Sequence, residues 1–181
     1  MGDQSEAYTF AVLTLSDKGS RGEREDTSGQ MLCDLLQSLG YVLAEYALIP
    51  DVHDEIVSYL RTWTDDRSID LILTTGGTGV SPTDVTPEAT LEVVEKQVPG
   101  IAEVMRQASL LKTPNAILSR GVAGIRGQSL IINLPGSKKA ARENIEVVLP
   151  ALDHALYKMK GGEADCGVSE VLEGSVGKTG S

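Results

Sequence analysis

Short apolar runs and amphipathic stretches alternate along this chain, and that order leaves few architectures open. Residues 10–15 (FAVLTL), 41–49 (YVLAEYALI) and 70–75 (DLILTT) have the length and composition of buried strands. After the first run, Met31, Leu32, Leu35, Leu36 and Leu39 recur at helical spacing, with Asp26 or Thr27 as the cap and Gly40 as terminator. After the second, Pro50-Asp51 forms a turn, and Ile56, Val57, Leu60 and Trp63 form the stripe of another helix. Strands alternating with helices need crossover connections, so the expected fold is α/β: a mostly parallel sheet with helices on both faces.

The remaining segments extend that pattern. Thr86-Pro87 opens a helix, because Thr caps and Pro at the first helical position gives up an N–H that has no partner there. Pro99-Gly100 breaks it, and a further helix is predicted over residues 101–111. Short strands are predicted at 116–119, 121–125 and 129–134, the last two as a hairpin around Arg126-Gly127. Ser137 caps a final helix whose Ile145, Val148, Leu149, Leu152 and Leu156 face inward, and Pro150 should kink or divide it. A length of 181 residues suits a single domain over residues 1–160, with the aperiodic residues 161–181 read as a flexible C-terminal tail. The sequence contains no internal repeat.

Composition matters here for what it excludes. No apolar run approaches the roughly 18 residues of a membrane span, and the acidic start MGDQSEAY has neither the basic nor the apolar part of an export signal. The expected home is the cytoplasm. A formal charge of −10 argues against nucleic acid as a partner, so an anionic small ligand must be held by local donors against the general field. Cys33 and Cys166 stand outside any CxxC or Cys/His cluster, which argues against a disulfide scaffold or a zinc site.

The chemistry concentrates in loops that follow predicted strands. Residues 74–87 (TTGGTGVSPTDVTP) run from a strand to a helix cap, and Gly76, Gly77 and Gly79 let the backbone turn tightly and bring N–H groups close to a phosphate. The segment is neither a Walker loop nor a dinucleotide GxGxxG, and an ordinary strand-to-helix turn explains the glycines equally well. Asp84 would repel an anion there unless it holds a cation such as Mg²⁺; its other reading is a loop cap. Asp51 leaves its strand at the equivalent place, or simply starts a helix. Residues 133–137 (NLPGS) again join a strand to a helix, as ligand donors or as a turn and cap. Together with Ser16-Asp17 these make four polar loops at strand ends, which favours one shared cleft over four independent turns.

In order along the chain, TLSD (14–17), EDTSG (25–29), IPD (49–51), TTGGTG (74–79), DVTPEAT (84–90), LSR (118–120) and INLPGS (132–137) resemble the MogA/MoaB family of molybdopterin-binding proteins, which includes the G domain of gephyrin. The resemblance covers about residues 11–156. It implies a MogA/MoaB-like trimer that adenylylates molybdopterin with ATP, with Mg²⁺ as cofactor and pyrophosphate as by-product. By the same carry-over, the catalytic and metal-holding residues are Asp51 and Asp84. The nucleotide would meet Thr75, Gly76, Gly77, Thr78, Gly79, Asn133, Pro135 and Gly136, and the pterin Ser16, Asp17, Ser119 and Arg120. A MoeA-type molybdate-insertion enzyme is an implied partner.

One departure bears on activity. Members of this family commonly carry Arg before the second aspartate, where this chain has Thr83, and Thr offers no equivalent of a fixed bidentate donor. The departure keeps two rivals in view: a non-catalytic molybdopterin carrier or scaffold, and a molybdate-insertion protein on the same scaffold.

Overall fold

A computed structural model describes residues 7–163. In chain order the elements are β1 (Thr9–Leu15), α1 (Asp17–Ser20), α2 (Thr27–Ser38), β2 (Val42–Ile49), α3 (His53–Arg61), β3 (Leu71–Thr75), α4 (Thr86–Val93), β4 (Lys96–Gln97), α5 (Pro99–Leu110), β5 (Ala123–Arg126), β6 (Ser129–Leu134) and α6 (Lys138–Met159). A π-helical turn, Thr62–Asp66, extends α3, and a 3-10 turn, Pro114–Leu118, follows α5.

The six strands form one sheet in the order β2-β1-β3-β6-β5-β4. The first four are mutually parallel, while β5 and β4 are antiparallel additions at one edge. The sheet is therefore mostly parallel, as the alternation of elements requires. Side chains leave a strand on alternate faces, and β1 divides its residues accordingly. Phe10 and Val12 join Leu32, Leu36 and Leu152 in one core, whereas Ala11 and Leu13 join Ile56, Leu60 and Ala89 in the other. Helices α2, α5 and α6 cover the first face; α3 and α4 cover the second.

Four local expectations change. Residues 116–119 lie in the 3-10 turn and its cap instead of a strand, because Thr113 caps it by accepting from the Asn115 N–H and Pro114 sets its first turn. Pro99 begins α5 instead of lying outside it, again as a first-turn proline. The strand expected at 121–125 is Ala123–Arg126, paired antiparallel with β6 across the turn at Gly127. Helix α6 runs undivided through Pro150, which sits on its exposed face while Val148 and Leu152 stay buried on either side. The tail expected over 161–181 falls, from residue 164 onward, outside the described residues, as does Cys166.

What matters for function is where the parallel strands stop. Leu15 pairs with Ile49, Thr14 with Thr75, and Thr75 with Leu134, so all four strands end at one rim. Strand β2 lies on one side of β1 and β3 on the other, which makes that rim a topological switch point where open α/β sheets bind ligands.

Candidate functional site

At the end of β1, the Ser16 N–H donates to the Ile49 carbonyl at 2.9 Å, which ties this loop to the end of β2. The Ser16 hydroxyl accepts from the Gly19 N–H at 3.0 Å and caps α1. Asp17 and Asp51 are then linked reciprocally: the Asp51 N–H donates to Asp17 Oδ1 at 3.1 Å, and the Asp17 N–H to Asp51 Oδ2 at 3.3 Å. Burial pushes the Asp51 carboxyl above its ordinary range; the charge of Asp17 adds to this, the bond from the Asp17 amide opposes it, and the charge of Asp84 adds a smaller part.

The glycine loop leaves β3 beside them. Gly77 adopts φ +62°, and a methyl group there would stand 2.9 Å from Asp51 Oδ1 and 2.3 Å from Thr86 Oγ1. Only glycine fits that backbone against that carboxylate. A methyl at Gly79 would stand 2.9 Å from Asp84 Oδ2, so the two glycines make room for the two aspartates in turn. Asp84 Oδ2 accepts from the Ser81 N–H at 2.8 Å, and the Asp84 N–H donates to the Ser81 carbonyl at 2.9 Å. Of the two readings of Asp84 from the sequence, the loop cap is observed, and the same carboxylate borders the cleft.

Thr75 and Thr86 brace the rim. The Thr75 hydroxyl donates to the Pro135 carbonyl at 2.7 Å, and the Thr86 hydroxyl to the Gly76 carbonyl at 2.9 Å. The result is a cleft of about 360 Å³ bordered by Ser16, Asp17, Asp51, Asp84, the Gly76-Gly77 turn and Gly136. A second cavity of about 260 Å³ with mostly apolar walls takes in Thr78, Gly79, Ser119 and Pro135. The residues the sequence grouped as one pterin site and one nucleotide site are thus redistributed, each group contributing to both cavities.

Two expected contacts are engaged elsewhere. Asn133 is 1% exposed; its amide donates to the hydroxyls of Thr74 and Thr90 at 2.9 Å each, and its oxygen accepts from the Val122 N–H at 3.2 Å. It fixes β6 against β3 and α4 and does not reach the cleft surface. The Arg120 guanidinium donates to the Gly79 and Asp84 carbonyls and to the Glu88 carboxylate.

Sequence reasoning saw Asp26 only as a helix cap and missed its network. Asp26 is more than an N-cap: its Oδ2 accepts from the Thr14 and Tyr46 hydroxyls at 2.6 Å each, and its Oδ1 from the Gly29 N–H at 2.8 Å and the Ser28 hydroxyl at 3.1 Å. Burial alone would raise this carboxyl, but the four donors more than reverse it and hold it below its ordinary range. Burial and the Asp26 carboxylate together push the Tyr46 hydroxyl up. Thr14 and Tyr46 come from neighbouring strands, so the network joins β1, β2 and the start of α2 at the cleft wall. In the sequence its visible traces were the cap position of Asp26 and the aromatic at position 46 in the second apolar run.

Known proteins share this sequence pattern and this architecture. The chain matches the family described as "Probable molybdopterin binding domain" over residues 11–154. It is 45% identical over 149 residues to the molybdopterin adenylyltransferase of Helicobacter pylori (strain J99), covering 81% of this chain and 85% of that protein. The molybdopterin adenylyltransferase of Escherichia coli (strain K12) is 44% identical over 144 residues, covering 78% and 74%. Among solved structures, the molybdopterin biosynthesis enzyme MoaB from Thermus thermophilus superposes with a TM-score of 0.81 at 52% identity, covering 85% of this chain and 97% of that one.

Proposed function

This chain belongs to the family of probable molybdopterin binding domains, and from that premise we propose that it is a molybdopterin adenylyltransferase of molybdenum cofactor biosynthesis. An oxygen of the molybdopterin phosphate forms a bond to the α-phosphorus of ATP, the bond from that phosphorus to the β-phosphate oxygen breaks, and pyrophosphate leaves. The observation that carries this reading is the meeting of Asp51 and Asp84 in one cleft beside a glycine turn, at the sheet's switch point. Its volume of about 360 Å³ lies within the range of small-molecule sites.

The donor set fits Mg²⁺. Burial, then the charge of Asp17 and to a smaller degree that of Asp84, disfavours the Asp51 carboxylate, a penalty that a bound cation would relieve. Among the described residues no group of three or more His, Cys, Asp or Glu side chains could hold a metal ion, so an ion here would need substrate phosphates to complete its shell. Asp51 and Asp84 would hold the ion, and its charge would offset that of the phosphates brought together. The chain's own task is positioning: the Gly76–Gly79 backbone receives phosphate, Thr75 and Thr86 keep that backbone in place, and Asp17 orients Asp51 through paired bonds.

The same reading extends to assembly and location. No helix among the described residues is long and apolar enough to cross a membrane; the cytoplasm is the location proposed, on the likeness to molybdopterin adenylyltransferases. Leu111 is 90% exposed and Ile117 68%, apolar surface of the kind that contacts between copies would cover, and a homotrimer is the assembly proposed. A molybdate-insertion enzyme of the MoeA type would consume the product. Purified protein given molybdopterin, ATP and Mg²⁺ should release pyrophosphate and leave a pterin heavier by one adenylyl group. A carrier or scaffold would bind the pterin and release none.

A further inference from the structure

The loop that carries Asp84 spans ten residues, 76–85, without strand or helix. Its own bonds close only its two ends. The Ser81 and Asp84 pairing forms the last turn, and Thr86 holds the Gly76 and Gly77 carbonyls. In the stretch between, the hydrogen bonds at Thr78 and Gly79 both come from a single residue outside the loop. The Arg120 N–H donates to the Thr78 carbonyl at 2.9 Å, and Nε to the Gly79 carbonyl at 2.6 Å. The other two guanidinium nitrogens reach the Asp84 carbonyl and the Glu88 carboxylate in the first turn of α4.

We propose that Arg120 is a positioning residue for adenylyl transfer, setting Asp84 by clamping both arms of its loop to α4, and that it makes no contact with pterin or nucleotide. Arg120 borders neither of the two cavities described above. Its charge is balanced by Glu88; burial alone would raise that carboxyl, but the bond from Arg120, a backbone N–H and the charges of Arg120 and His53 together hold it below its ordinary range. Three acceptors in three directions suit a planar fork of N–H groups, and the point charge of lysine cannot reproduce them. The arrangement also bears on Thr83, whose hydroxyl meets only that of Ser81, at 3.2 Å. A guanidinium does serve this loop, delivered from the opposite side by residue 120.

The proposal rests on the adenylyl-transfer reading for the role of Asp84, and its test keeps the two apart. Amide hydrogen exchange of residues 77–85, molybdopterin binding followed by pterin fluorescence, and single-turnover adenylylation are measured for the wild type, Arg120→Ala, Arg120→Lys and Glu88→Gln. In Arg120→Ala the loop amides should exchange at least about tenfold faster. Turnover should fall by about 100-fold, while the molybdopterin Kd stays within about twofold. Arg120→Lys should follow Ala, and Glu88→Gln, which keeps an oxygen to accept from Arg120 but removes the opposing charge at an exposed position, should speed loop exchange to a smaller degree. A molybdopterin Kd weakened in step with turnover, with loop exchange unchanged, would make Arg120 a substrate ligand and overturn the proposal. A wild type that releases no pyrophosphate would refute the transferase reading instead, and loop exchange would then decide the clamp by itself.

Discussion

Asp51 is held where its own charge is least favoured. Because burial and Asp17 raise its folded value, the folded chain binds this proton more tightly than the unfolded one. Ionisation therefore lowers stability as pH rises through that raised value, and below the ordinary aspartate range the penalty is absent. Asp51→Asn keeps an oxygen to accept from the Asp17 amide, so it should raise the melting temperature near neutral pH, by an amount that shrinks as the pH falls. The same variant should lose turnover by at least about 100-fold. Calorimetry across pH, beside the transfer assay, checks both. Asp26 has the opposite sign: its folded value is depressed, so its contribution is full above the ordinary aspartate range and is lost as pH falls through the folded value. Asp26→Ala would strand the Thr14 and Tyr46 hydroxyls and remove the α2 cap, a loss of about 2–4 kcal/mol that denaturant unfolding can measure.

Elements were legible wherever burial is periodic. The runs at 10–15, 41–49 and 70–75 became β1, β2 and β3 because their side chains feed two cores, and the stripe through Ile56 and Leu60 became α3 for the same reason. Elements that bury little left no such trace: α1 is four residues long, and β4 is two exposed residues recruited by pairing with β5. The apolar residues 116–118 mimicked a strand, and a threonine cap with a proline decided otherwise. Within the site, Asp51 and Asp84 were visible as polar residues after strands. The Asp26 network was not, since it depends on Thr14 and Tyr46 meeting across 12 and 20 residues of sequence. Proline at 150 was expected to interrupt α6, and the helix absorbs it on its exposed side. Pro150→Ala restores an N–H for the Glu146 carbonyl and should stabilise the protein by about 1–3 kcal/mol, read as a rise in melting temperature.

Taken whole, an acidic molecule of net charge −10 gathers further carboxylates at the cleft proposed to receive two phosphorylated substrates. Lys18 and Arg24 also border the cleft, and with Mg²⁺ on the carboxylates as proposed, transfer should depend steeply on the metal. Assembly is the other property of this scale. Sedimentation should give a particle of three chains, and Leu111→Asp with Ile117→Asp should shift it to single chains, whereas a wild type that sediments as one chain removes the trimer. The two aspartates at the sheet's rim are tested most directly by titrating Mg²⁺ into Asp84→Asn and the wild type while following adenylylated pterin by mass and molybdopterin binding by fluorescence. Metal-dependent product in the wild type, with pterin binding kept and product lost in Asp84→Asn, is the expected result; product formed by the variant at the wild-type rate would contradict it.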